Sequence, residues 1–139
     1  MRRRARECAL QILYQLDVGQ ALGHGTDPKP DVQRYWDSFE PVSPEEREFA
    51  ERIVLGVSER LSELDERLDR ASSHWKLARM AKVDRNLLRL AAYEIVYCPD
   101  IPRSASINEA IEIGKRFSSS DSAAFLNGVL DQLSPEPAA

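Results

Sequence analysis

The sequence has no apolar run approaching the ~18–20 residues that a bilayer crossing needs, and no apolar segment behind its N-terminal arginines. This excludes a membrane-spanning helix and a secretory signal. A transit peptide is also arginine-rich, but here the basic segment passes into a structured pattern without a break. Cysteine and histidine are scarce, with two of each. Cys8 and Cys98 both fall inside apolar helical patterns, which reads as two buried thiols in a reducing cytoplasm rather than a disulfide. His24 lies in an irregular connection and His74 stands beside Trp75 at a break, and neither is at a metal-ligand spacing from the cysteines. No GxGxxG, P-loop or nucleophile-elbow pattern occurs. Glu109 and Glu112, at i and i+3, are explained by capping or surface pairing better than by acid–base chemistry. The reading is a protein without catalytic site, metal or cofactor. Strands are missing too, since no stretch alternates with period 2 and β-branched enrichment, so the fold class is all-α.

An excess of basic charge is also lacking. The 139 residues hold 19 basic and 23 acidic side chains, for a net charge of −4. Hydrophobic residues at 42% and charged residues at 30% place the chain among globular domains rather than disordered ones. Four of the arginines, Arg2, Arg3, Arg4 and Arg6, stand within the first six residues; without them the net charge is −8. A positive cluster on an acidic background addresses a polyanion.

Apolar residues recur at Ala5, Ala9, Ile12, Leu13 and Leu16, one face of a helix that Gly19 ends. Residues 20–42, with Gly23, Gly25, Pro28, Pro30 and Pro41, form a long connection. Within it Val32 to Glu40 can make a short helix with Tyr35, Trp36 and Phe39 turned inward. Ser43-Pro44-Glu45-Glu46 is a strong helix start, with Ser as N-cap, Pro at N1 and Glu at N3. That helix buries Phe49, Ile53, Val57 and Leu61. Ser62 reads as a fresh cap before Leu64 and Leu68. Further helices run from about Val83 to Cys98, stopped by Pro99, and from about Ser104 to Phe117, burying Ile107, Ala110, Ile111 and Gly114. Asp121 is a good N-cap for a last helix carrying Phe125, Leu126, Val129, Leu130 and Leu133. The expectation is six or seven helices in one domain over residues 1–134. It splits near Ser72 into parts of about 1–72 and 73–134, and residues 135–139 form a frayed end.

Two surfaces carry the functional signal. On a helical wheel at ~100° per residue, Arg3, Glu7, Leu10 and Tyr14 align away from the core stripe centred near Ile12 and Leu16. That alignment suits a partner, and the arginine fork suits phosphate; solvated charge with a half-buried tyrosine is an equal alternative. The second is the break Lys115 to Phe125, where a new helix N-terminus and the rings of Phe117 and Phe125 could meet phosphate and unpaired bases. Read from composition alone, an ordinary turn with both rings buried is favoured there. Asp121 repels phosphate and is better explained as a cap.

RRRARECALQILYQLD at 2–17, LLRLAAYEI at 87–95, SINEAIEIGKRF at 106–117 and FLNGVLD at 125–131 together resemble the NusB family of bacterial transcription antitermination factors, in the family's order. The resemblance covers nearly the whole chain and is weakest over residues 20–42. It implies an all-helical fold of two three-helix bundles. It also implies binding of the boxA element of ribosomal RNA operons, jointly with the small-subunit ribosomal protein NusE, within the RNA polymerase antitermination complex of Nus factors. By position, Arg2, Arg3, Arg4 and Arg6 match the family's arginine-rich RNA-binding segment, and Phe117, Asp121 and Phe125 match its second RNA-contacting region. Tyr14 and Asp84 match the NusE interface, where the family pattern can carry Glu in place of Asp84; Leu10 joins them on the wheel argument. The competing readings are a helical protein–protein adaptor that never touches RNA, and the N-terminal domain of a ribosomal RNA cytosine methyltransferase. The latter would need a further ~250-residue domain of the ordinary size for such folds; Met1 followed at once by the motif favours a complete protein. The face that takes a partner could also form a homodimer.

Overall fold

The computed structural model describes residues 2–23, 25–39, 41–72, 76–119 and 121–133. His24, His74 with Trp75, and the expected frayed end at 135–139 lie outside the described residues. Among the described residues, seven α-helices and one 3-10 turn account for the regular structure, and no strand occurs. The helices are α1 (Arg2–Val18), α2 (Lys29–Ser38), α3 (Pro44–Glu59), α4 (Leu61–Ala71), α5 (Lys82–Tyr97), α6 (Arg103–Phe117) and α7 (Ser122–Leu130), with the 3-10 turn at Leu77–Arg79 before α5. No helix among them is long and apolar enough to cross a membrane.

Local chemistry accounts for most boundaries. At the start of α3 the expected capping box is complete: the Glu46 amide donates to Ser43 Oγ at 3.1 Å, and the Ser43 amide to Glu46 Oε1 at 3.0 Å. Ser62, by contrast, caps nothing. α4 begins at Leu61, and Arg60 alone forms the joint, its amide donating to the Gly56 carbonyl while its own carbonyl accepts from Leu64. The short helix of the connection starts earlier than expected, with Pro30 in its first turn, where a missing amide costs nothing. Tyr35 is buried there, but Phe39 lies exposed beyond the helix end and stacks on the Tyr35 ring at 4.4 Å. In α6 Ile113 takes the buried place expected of Ile111, which is half-buried.

α5 is the hub. It packs against α1, α3, α4, α6 and α7, and is buried from Asn86 to Ala92 and from Glu94 to Val96. α1, α2 and α3 make one three-helix bundle and α5, α6 and α7 the other, with α4 along α5 touching α3 and α7. Because α1 packs on both α3 and α5, one continuous core runs through both bundles. Two close approaches need glycine. A Cβ on Gly56 would lie 2.1 Å from the Tyr93 ring, and one on Gly114 would lie 2.6 Å from Leu126 Cδ1. Cys8 and Cys98 are free buried thiols, and burial pushes the Cys98 thiol up to about 11.

Two ionic networks hold the hub in place. Arg6, of which the sequence suggested a surface role, is buried; it donates from Nε and Nη2 to the two oxygens of Glu94 on α5, at 2.8 and 2.7 Å. Ser106 of α6 adds a hydroxyl to Glu94 Oε1 at 2.8 Å. At the other end of α1, Asp17 accepts from Arg85 at 2.6 and 2.7 Å, from Asn86 at 2.8 Å and from Arg89 at 3.2 Å, while Arg89 makes a second, bidentate pair with Asp65 of α4. Burial pushes the Asp17 carboxyl up, but the hydrogen bonds from Arg85 and Asn86, with the charge of Arg89, outweigh it and hold the group below the usual carboxylate range.

Removing one partner of a buried pair strands the other charge, at a cost of about 3–5 kcal/mol. Glu94→Ala is therefore expected to lower the urea unfolding free energy by that order, and a loss under about 1 kcal/mol would show that Arg6 is solvated. The depressed Asp17 carboxyl stabilises the fold above its unfolded pKa of ~3.9, and that contribution fades as pH falls through the lower folded value. Urea midpoints measured between pH 5 and pH 2 should accordingly fall more steeply for the natural chain than for Asp17→Asn.

Candidate nucleic-acid and partner interface

The four N-terminal arginines separate by depth. Arg2 is exposed, and its guanidinium lies 4.7 Å from the centre of the Phe49 ring. Arg3 is 55% exposed and gives both Nε and Nη2 to Glu109 Oε2 on α6, at 2.9 and 2.6 Å. That hydrogen bond, reinforced by the carboxylate charge, raises the Arg3 pKa further above its ordinary value. Arg4 is exposed and stands 4.0 Å from Glu7. Arg6 belongs to the interior, so the expected RNA-contacting quartet becomes a surface trio.

Leu10, expected on the partner-facing side of α1, is instead 3% exposed and sits in the core. Glu7 beside it is buried as well, and receives Arg116 of α6 at 2.7 Å. A second helix covers the face that one helix's periodicity left open. Tyr14 remains outside, 41% exposed, with Val18 one turn further on at 49%.

Arg116 lies within the Lys115–Phe125 break, yet no role of its own was expected for it. Its side chain is 68% exposed, its guanidinium lies 5.2 Å from the centre of the Phe117 ring, and its Nη1 reaches Glu7 of α1. The arginine-rich start of α1 and the turn after α6 are thereby joined along one edge. The advance signal was an acidic residue, Glu7, directly after the run of arginines.

In that turn Phe117 is 36% exposed, whereas Phe125 is half-buried and packs on the core. Asp121 occupies the N-cap position of α7 but makes no capping bond. Its backbone is already helical, at φ −70° and ψ −23°, whereas a capping side chain needs an extended backbone. Serines tie the turn instead. Ser118 and Ser119 hydroxyls lie 3.0 and 3.2 Å from Ser122 Oγ, which donates to Asp84 Oδ2 on α5 at 3.4 Å. Asp84 Oδ1 is buried without a hydrogen-bond partner among the described residues, at the wall of a cleft of about 280 Å³ that Met80, Ala81 and Phe125 also line. Tyr14 and Asp84 lie on the elements that the Asp17–Arg85 pair holds together.

A small all-helical protein with guanidinium groups and an exposed ring along one edge presents donors for phosphate and a surface for a base. The NusB family model matches residues 3–135. A transcription antitermination protein NusB from Anaeromyxobacter dehalogenans (strain 2CP-1 / ATCC BAA-258) is 49% identical over 132 residues, covering 95% of this chain and 89% of the relative. Among solved structures, NusB of T. maritima superposes with a TM-score of 0.82 at 36% identity, over 95% of this chain and 89% of that one. A structure of the antitermination factors NusB and NusE in complex with dsRNA shares the fold, with a TM-score of 0.79 at 22% identity over 94% and 95% of the two chains. The chain belongs to the NusB family.

Since Asp121 has no capping bond to lose, Asp121→Asn is expected to leave the thermal midpoint within the shift that about 0.5 kcal/mol produces. A larger loss in a melting scan would mean that the carboxylate holds the turn.

Proposed function

We propose that this protein is a non-catalytic transcription antitermination factor of the cytoplasm that binds single-stranded boxA RNA together with NusE. The observation that carries this reading is the α1–α6 edge joined by Arg116 and Glu7. There Arg3 pairs with Glu109 of α6, Arg4 stands beside Glu7 and the Phe117 ring lies against Arg116, while the exposed Arg2 lies on the α3 side against Phe49. Arginine forks neutralise phosphates and hold the backbone, which supplies affinity without sequence information. The Phe117 ring and the turn around Asp121 supply the surface on which an unpaired base stacks. Tyr14 with Val18 on α1, and Asp84 at the cleft beside α7, form the face we assign to NusE. The protein solved with NusE and dsRNA shares this fold, which supports the pairing.

The adaptor reading has no comparable support, because it leaves the arginine edge without a role. The methyltransferase reading is not favoured either: the chain covers 89% of a relative named for antitermination alone.

The test is a titration of labelled boxA RNA, with and without NusE, against a triple variant carrying Arg2→Ala, Arg3→Ala and Arg4→Ala. Arg6 is left in place because its loss would disturb the core. Affinity is expected to fall by at least about tenfold, and the slope of log affinity against log salt to flatten by about 0.7 for each single-strand phosphate that is no longer neutralised. Unchanged affinity in a variant that melts normally would remove RNA from the arginine edge.

A further inference from the structure

Much of the positive charge of the arginine edge is countered in the free protein. Arg3, Arg4 and Arg116 carry three positive charges, and Glu7 and Glu109 set two negative charges directly against them, while Arg6 and Glu94 cancel each other in the interior. The depths of the two signs differ. Arg3 and Arg116 are 55% and 68% exposed, while their carboxylate partners Glu109 and Glu7 are 22% and 5% exposed. The acids are thus fixed by the fold, and each holds in place a guanidinium group that stands further out in solvent. Glu109 is also shared, lying 3.7 Å from Nη1 of the buried Arg6, so it is anchored from below as well as paired from above.

An arrangement of this kind has two physical consequences. The carboxylate repels any phosphate that approaches Arg3, which lowers affinity for polyanions in general. It also engages Nε and Nη2 of Arg3 and leaves Nη1 donors pointing away in a fixed direction. A guanidinium held in one orientation loses little freedom on meeting a backbone whose phosphates lie on its path, but cannot sweep to reach one that lies elsewhere. An unpaired arginine reaches both.

Resting on the RNA-binding reading of this edge, we infer that Glu109 is a specificity-determining residue, a built-in counter-charge that orients Arg3 and restrains binding of unrelated RNA. Glu7 does the same for Arg116 from the opposite helix. The carboxylates of α1 and α6, and not only the arginines, then set how selective the edge is. In an otherwise acidic protein this is a local restraint as well as a global one.

The experiment compares Glu109→Gln with the natural chain on two probes, a single-stranded RNA carrying boxA and a shuffled RNA of equal length and composition, across a salt series. Glutamine keeps the size and one acceptor but removes the charge. Affinity for the shuffled RNA is expected to rise at least about threefold, its salt slope to steepen by about 0.7, and affinity for boxA RNA to change less, so that discrimination falls. Glu109→Asp, which keeps the charge, should discriminate better than Glu109→Gln. Glu112→Gln removes the same charge from the same helix, but Glu112 pairs with Lys115 at 3.2 Å instead of with an arginine; it should discriminate as the natural chain does. Discrimination unaltered in Glu109→Gln, or lost equally in Glu112→Gln, overturns the inference while leaving the RNA-binding reading intact. A natural chain that binds both RNAs alike overturns that reading, and the inference with it.

Discussion

A guanidinium sealed inside a helical core must be matched there, and the rest of this structure depends on how Arg6 is matched. Its bidentate pair with Glu94, completed by the Ser106 hydroxyl, ties α1 to α5 and α6 at one point. The desolvation cost of such a pair makes it a poor source of net stability but a strict condition on geometry, since any slip of α1 along α5 strands a charge. The Asp17, Arg85, Asn86 and Arg89 cluster imposes the same condition at the far end of α1. Between these clamps the apolar stripe of α1 has one register against the hub helix.

That register decides what the surface offers. With α1 held against α6, Glu109 comes beside Arg3 and Glu7 beside Arg116, and the basic edge becomes an array of paired charges instead of an open positive patch. The same packing fixes the start of α7, where Ser122 leans on Asp84 of α5 and the serines replace Asp121 as the ties of the turn. The edge assigned to RNA and the cleft assigned to the protein partner therefore share the framework of α5, α6 and α7. Surface pairs of this kind contribute little to stability, about 0–1 kcal/mol each. Their importance lies in orienting charge.

Much of the architecture could be read in advance because its causes are local. The Ser43–Glu46 capping box, the stop at Pro99, the break after Phe117 and the apolar spacing of α1 and α5 each depend on residues within a turn or two of one another. Tyr14 is outside as expected, and both thiols are buried. Where the reading failed, the cause was a neighbour far away in sequence at Leu10 and Glu7, and the place where a helix ends or starts at Phe39 and Ser62. Leu10 and Glu7 lie off the main stripe of α1 but are covered by a second helix. Phe39 has a buried neighbour in Tyr35 but lies past the helix end, with no core left to enter. Ser62 has the chemistry of a cap, but the joint at Arg60 starts the helix before it.

The amino-acid sequence by itself determined the all-helical class, the helix boundaries to within a few residues, the apolar faces and, through four short segments, the family. Those follow from spacing along the chain. Tertiary structure alone decided which arginines reach solvent, which carboxylates restrain them and which side of α1 stays open. Arg3 and Glu109 are 106 residues apart and Glu7 and Arg116 are 109 apart, and the strength of a charge depends on its depth and its nearest opposite. Neither quantity exists until the helices have packed.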